Sequence, residues 1–169
     1  KRVPSDFSSR IHNLVRCGPF LAVVSDNEIL RVHRSGSQLS VDTIHNRHGI
    51  SGRYGVVGVG SALYLVTPVG LLVCDLQSGS LENVGVVQHL FDRDWRAYLS
   101  TVVGGYDSAM GLLTFLEPNR KEMVCLWMNE GVVTTLENVP WDNVATGPDP
   151  SAGGAMRAWF LEETSGRIY

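Results

Sequence analysis

Long apolar runs, an excess of either charge, paired cysteines and helical periodicity are all scarce in this sequence. No stretch reaches 18 uninterrupted apolar residues, so none is built to cross a bilayer as a helix. Lys1-Arg2-Val3-Pro4-Ser5-Asp6 lacks the apolar core of a signal peptide. Lys and Arg number 14 and Asp and Glu 17, a net charge of −3, with no basic stripe of the kind that grips nucleic acid. The 3 cysteines, Cys17, Cys74 and Cys125, are odd in number and widely spaced, which argues against the disulfide framework of a small secreted domain. Cys74 and Cys125 sit inside apolar runs, where a thiol packs as a small hydrophobe. No Asn-x-Ser/Thr acceptor occurs, and a reducing compartment is expected. The missing initiator methionine and the stop inside "GRIY" lead us to expect a processed or truncated chain.

Apolar residues make up 44% of the 169 residues and charged residues 18%, enough for a real core and too apolar for disorder. Short apolar runs punctuated by Gly, Asn, Asp and Ser recur along the whole chain, as in all-β proteins. "FLAVVS" (20–25), "EILRVHR" (28–34) and "QLSVDTI" (38–44) read as a meander with connections of about two residues. The pattern returns in "YGVVGVG" (54–60), "ALYLVTP" (62–68), "GLLVCDL" (70–76) and "SLENVGVV" (80–87). It returns again in "YLSTVVGGYD" (98–107), "GLLTFLEP" (111–118), "EMVCLWM" (122–128) and "VVTTLENV" (132–139). A fourth copy is read from "MRAWFLEE" (156–163), through a turn at Thr164-Ser165-Gly166, into a cut-off "RIY".

The apolar residues just after the central turns, Ile29, Leu71, Met123 and Ile168, are 42, 52 and 45 residues apart. About 40–50 residues with roughly four short strands is the period of a β-propeller blade. The expected fold is therefore all-β, in antiparallel meanders of three to four strands arranged as propeller-like blades, with a β-sandwich as the alternative. The expected units are residues 1–52 (a first repeat with an N-terminal arm), 53–97 (a second repeat plus an excursion), 98–145 (a third) and 146–169 (a loop and a truncated fourth). Three and a half copies leave a ring incomplete, so further chain is expected outside them. "QHLFDRDWRAYLS" (88–100) is the best helical candidate, with Leu90, Phe91, Trp95 and Leu99 on one stripe and Asp92 or Asp94 in a first turn. "TGPDPSAGGA" (146–155) reads as a Gly/Pro-rich loop.

The glycines of "RYGVVGVGSALYLV" raise the question of a phosphate cradle. A dinucleotide site needs G-x-G-x-x-G opening a helix. Here Gly55, Gly58 and Gly60 run G-x-x-G-x-G into strand formers, and no Gly-Lys-Ser/Thr follows. They fit a tight turn, or an inner blade strand that must approach its neighbours closely.

His45 and His48 form an H-x-x-H without a third ligand in metal spacing, and read as a polar loop, with proton-dependent docking as the alternative. Asp92 and Asp94 flank Arg93, with Arg96 close by. They read as a charged loop with local ion pairs, or as a glycosidase carboxylate pair. Asp107 is expected to make an Asx-type hydrogen bond at a Gly104-Gly105-Tyr106 turn. No G-x-S-x-G elbow exists, Ser51 and Ser61 lack triad partners, and Cys17 stands alone beside a turn. Trp127 and Trp159 are expected in the core, while Trp141 is either core or an exposed interface anchor. The candidate contact residues are thus His45, His48, Asp92, Arg93, Asp94, Arg96 and Trp141, with no catalytic, metal or cofactor site and no small-molecule ligand.

Residues 49–128, from "GISGRYGVVGVGSALYLVTPVGLLVCDLQSG" to "YLSTVVGGYDSAMGLLTFLEPNRKEMVCLW", resemble the β-propeller proteins of bacteriophage tails and necks. The features shared are a glycine-led strand, an "LYLVTPVGL" hairpin (63–71) giving way to D-x-x-S-G (75–79), and a "YD…FL" strand pair (106–116). The resemblance implies a non-enzymatic virion structural protein, assembled in the host cytoplasm as a ring of identical subunits in a nozzle or stopper. Neighbouring virion proteins would be its partners, and DNA would pass through the channel in passive contact. Loops 45–53, 88–97 and 140–155 would face the neighbouring subunits. Two alternatives remain: a cellular, cytoplasmic propeller module binding protein or carbohydrate, for which Gly104-Gly105-Tyr106 and Trp127 fit one kelch-like blade, and a propeller glycoside hydrolase using Asp92 or Asp94.

Overall fold

The computed structural model describes residues 10–163 and 165–169. The N-terminal arm over residues 1–9, and Thr164 of the last turn, lie outside them. Four antiparallel sheets are arranged as a four-bladed β-propeller, not as a sandwich. The first blade holds β1 (Ile11–Cys17), β2 (Phe20–Ser25), β3 (Ile29–Ser35) and β4 (Gln38–His45). The second holds β5 (Val56–Val59), β6 (Ala62–Thr67), β7 (Gly70–Asp75) and β8 (Leu81–Asn83). The third holds β9 (Val103–Asp107), β10 (Leu112–Glu117), β11 (Glu122–Trp127) and β12 (Val132–Leu136). The fourth holds β13 (Asn143–Asp149), β14 (Ala155–Glu162) and β15 (Arg167–Ile168). Every sheet follows chain order, so each blade is a simple meander. Ile29, Leu71, Met123 and Ile168 each fall in the third strand of their blade (β3, β7, β11 and β15), so the sequence period marks equivalent positions.

Several local expectations are corrected. The first blade has a fourth strand, β1, ahead of the predicted meander. The fourth blade opens at Asn143 with β13, so part of the expected 146–155 loop is strand, and only Pro150–Ala152 winds into a 3₁₀ turn. Pro148 is tolerated there because β13 is an edge strand. Gly104, Gly105 and Tyr106 lie inside β9 and form no turn. Asp107 still caps the next turn, Oδ1 accepting from the N–H groups of Ala109 and Met110 at 3.0 Å each. Trp159 is 40% exposed and outside the core, whereas Trp127 packs partly against it.

Apolar faces of adjacent blades close on one another in three layers. Cys17, Val24, Leu63, Leu65 and Cys74 fill the space between blades one and two. Leu71, Phe91, Trp95, Leu113, Phe115 and Val124 fill that between two and three. Leu116, Met123, Cys125, Val139 and Val144 fill that between three and four. The inner strands approach so closely that side chains are excluded. A Cβ on Gly58 of β5 would clash with the Arg16 carbonyl of β1, and one on Gly104 of β9 with Val57 of β5. Gly60 has φ +58 and sits in the β5–β6 turn. The glycines that suggested a phosphate cradle therefore serve a turn and the contact between inner strands.

Candidate interaction surface

In a wheel of meanders, the link from each outer strand to the next inner strand emerges on the same side as the turn between the second and third strands. Residues 46–55, 84–102 and 137–142 are those links. Each one docks on the central turn of the blade before it. Ile50 N–H donates to the Ser25 carbonyl at 3.1 Å, and Val139 N–H to the Lys121 carbonyl at 2.9 Å. Gln88 Nε2 donates to the Val69 carbonyl at 2.6 Å. His48, Asp92, Arg93, Asp94, Arg96 and Trp141, with His45 at the end of β4, are thereby gathered on one face of the disc, here called the loop face.

The second link is the largest. A 3₁₀ turn (Gly85–Val87) leads into a π turn (Leu90–Asp94), in place of one longer amphipathic helix. The predicted stripe holds: Leu90, Phe91, Trp95 and Leu99 are all buried, and Asp92 sits in the first turn. Phe91 meets Trp95 and Phe115 edge-on, with ring centroids 5.1 and 6.2 Å apart. Trp95 is fully buried, so its indole N–H needs a partner, and it donates to Glu122 Oε2 at 2.7 Å. Arg120 donates to the same carboxylate at 3.0 and 2.9 Å. That hydrogen bond, helped by Trp95, holds the Glu122 carboxyl below the usual carboxylate range against its burial. Nearby, the buried Glu117 accepts from Thr101 Oγ1 at 2.6 Å, Asn119 Nδ2 at 2.9 Å and Arg120 N–H at 2.6 Å. The link is thus pinned at both carboxylates, while Asp92, Arg93, Asp94 and Arg96 are exposed on its outer side.

His45 and His48 stand with ring centroids 6.3 Å apart, both half-buried. Among the described residues no group of three or more His, Cys, Asp or Glu is placed to hold a metal. The first and second links converge where Ser51, Pro68, Arg96, Leu99 and Ser100 line a depression, and Gly52 lies directly on the Ser100 backbone. Trp141 is half-buried, tilted over Phe160 at 4.5 Å between centroids, with Tyr169 at 6.3 Å. Its neighbour Asp142 pairs with Lys121 and accepts from Glu163 N–H at 3.0 Å; the lysine pair holds its carboxyl below the usual range. Trp141 belongs to the third seam and stays apart from the charged cluster at the second. The stripe marked Trp95 as buried, but the carboxylate anchors Glu117 and Glu122 had no sequence signal, because each gains its role from partners on a different strand or link.

On the axis, inner strands enclose a cavity of about 260 Å³ lined by Val15, Arg16, Val57, Gly58, Tyr106 and Met156, among others. All 3 cysteines are buried and free. Burial pushes the Cys17 thiol up to about 12, with Cys74 nearby adding to it, and the Cys74 thiol up to about 11. Such thiols are poor nucleophiles at neutral pH.

No family model matches the chain, and no curated protein matches it. Among solved structures, it is similar to the extracellular domain of a protein assigned as a one component system of B. thetaiotaomicron (11% identity, TM-score 0.55, covering 97% of this chain and 22% of that one). It is also similar to the WD40 domain of Neurospora crassa Pan2 (8% identity, TM-score 0.50, covering 98% of this chain and 50% of that one). WD40 domains are β-propellers, in agreement with the architecture described above. At these identities the likeness concerns the fold alone, and the chain spans about a fifth of the first protein and half of the second.

Proposed function

We propose that this chain is a non-catalytic interaction propeller that docks onto neighbouring protein subunits through its loop face. The observation that carries the reading is the second link. Its apolar side, Leu90, Phe91, Trp95 and Leu99, is buried between blades two and three, so Asp92, Arg93, Asp94 and Arg96 are presented on a rigid base. Rigid presentation lowers the ordering cost of binding, and a mixed-sign cluster favours register and specificity. His45, His48 and Trp141 extend the same face along the first and third links. Asp92 and Asp94 are both exposed and the thiols are buried, which supports contact over chemistry. The finer reading is a virion structural protein, a subunit of a phage tail or neck ring. It rests on the sequence resemblance over residues 49–128, and the ring, the virion location and passive DNA contact follow from it.

Native mass spectrometry of the protein from its natural source tests this. A closed ring of identical subunits, dissociated by reversing the charges of Asp92, Arg93, Asp94 and Arg96, is the expected result. A monomer at micromolar concentration, with the same four reversals changing no association, overturns the ring.

A further inference from the structure

A second surface lies on the rim of the disc, where the outer parts of blades two and three part and the second link begins. Tyr64, Val73, Val86, Trp127, Met128 and Val133 line an apolar groove there of about 280 Å³. Val86 at its mouth is 60% exposed. Beside it runs β12, the outer strand of its sheet, hydrogen-bonded on one side only. Outer strands usually carry a device that blocks further pairing. In this protein β8 has 3 residues including Glu82, and β15 has 2. The outer strand β4 carries Asp42 and a register shift against β3. In contrast, β12 has none of these. Its 5 residues, Val-Val-Thr-Thr-Leu, include no charge and no proline, and its register with β11 is unbroken.

The charged residues within the segments that line the groove are of one sign. Glu82 pairs in register with Val73, a groove-lining residue, and Glu130 lies in the turn just before β12. Residues 54–92 and 122–156, which supply the whole lining, contain no lysine or arginine. A second copy of this chain is a poor occupant. Set face to face, it brings to the groove the same Glu82 and Glu130 and no lysine or arginine from the lining segments, so the acidic side chains find no counter-charge.

We propose that β12 and the adjoining groove take an extended segment of a partner protein, apolar at alternate positions and flanked by lysine or arginine. The segment adds as a fifth strand to blade three, seats its apolar side chains against Val86, Trp127 and Met128, and sets its cations against Glu82 and Glu130. Val86 lies at the start of the second link, but the site includes none of the loop-face contact residues His45, His48, Asp92, Arg93, Asp94, Arg96 and Trp141, so either proposal can fail without the other.

The test is fluorescence anisotropy on the intact chain with a labelled peptide, Lys-Lys-Thr-Val-Thr-Ile-Thr-Lys-Lys. Its counterpart with glutamates for lysines, and a version N-methylated at alternate residues, serve as controls. The lysine peptide is expected to bind, and to bind about tenfold more weakly to Val86→Asp. Joint Glu82→Lys and Glu130→Lys should shift the preference toward the glutamate peptide. N-methylation should abolish binding. Circular dichroism melts confirm that these surface variants fold. Absence of binding at about 1 mM peptide, equal affinity for both charge forms, or indifference to N-methylation overturns the proposal. So does a dimer in sedimentation that is lost on β12 substitution, since the occupant is then a second copy.

Discussion

Arg157 of β14 donates its Nε–H to Asp107 Oδ2 at the end of β9 at 2.7 Å, and the Asp107 carboxylate is almost wholly buried. The other oxygen of that carboxylate caps the β9–β10 turn through Ala109 and Met110. One side chain therefore closes a turn within blade three and ties blade three to blade four. Removing it leaves two turn N–H groups without their acceptor and the Arg157 guanidinium with only Asp149, 3.8 Å from its Nη1.

Asp107→Ala is expected to destabilise the fold by about 2–4 kcal/mol, read as the urea midpoint multiplied by an unchanged m-value. Arg157→Lys should cost less, because Asp107 keeps both turn hydrogen bonds. Equal losses for the two substitutions would contradict the double role of the carboxylate.

The same group makes stability depend on acid. Burial pushes the Asp107 carboxyl upward, but the hydrogen bonds from Arg157, Met110 and Ala158 outweigh it and hold the value below normal. Glu122 and Asp142 are lowered as well, chiefly by Arg120 and by Lys121. A carboxyl depressed in the folded state contributes stability that is fully present above its unfolded value of about 4 and is lost as pH falls through the folded value. Urea midpoints should be level from neutral pH down to about 5 and fall below about 4. Asp142→Asn should flatten part of that acid limb.

Trp95 carries both the packing of the second link and the Glu122 contact. Trp95→Ala should cost about 3–5 kcal/mol. Trp95→Phe fills most of the volume but leaves Glu122 to Arg120 alone, and should cost about 1–2 kcal/mol. Thermal melts of the two variants separate cavity from hydrogen bond.

At Gly58 the neighbouring strand β1 occupies the space a side chain would need, and the obstacle is backbone. Gly58→Ala should destabilise by about 1–3 kcal/mol or more, whereas Gly85→Ala, with open space around it, should be near neutral. A neutral Gly58→Ala in urea titration would mean that β1 and β5 do not approach as described.

All three thiols should be silent toward a thiol-reactive dye in the folded protein at pH 8, and 3 per chain should react after unfolding in guanidinium. Dye kinetics in the native state then follow opening of the core rather than thiol ionisation.

Much of this was written along the chain. Alternating apolar residues with Gly, Asn and Asp punctuation specified short antiparallel strands, and the spacing of Ile29, Leu71, Met123 and Ile168 specified a repeated blade. The buried stripe of the second link was legible for the same reason: one-dimensional periodicity reports which side of an element is apolar. β13 was missed because Gly147 and Pro148 read as a loop, although an edge position accepts both. Trp159 was misplaced because a side chain in an apolar run says nothing of which face of the strand its sheet buries.

Tertiary structure alone decided that four sheets are arranged around one axis, that Gly58 and Gly104 lie where inner strands meet, and that Asp107 finds Arg157 some 50 residues away. It also decided that the charged link, the histidine pair and Trp141 share a face, and that β12 is an uncovered edge beside an apolar groove. The physical reason is common to all of these. Local sequence sets backbone preference and the apolar side of each strand. Which strand becomes inner or outer, and which charges meet, depends on contacts between segments that sequence spacing does not encode.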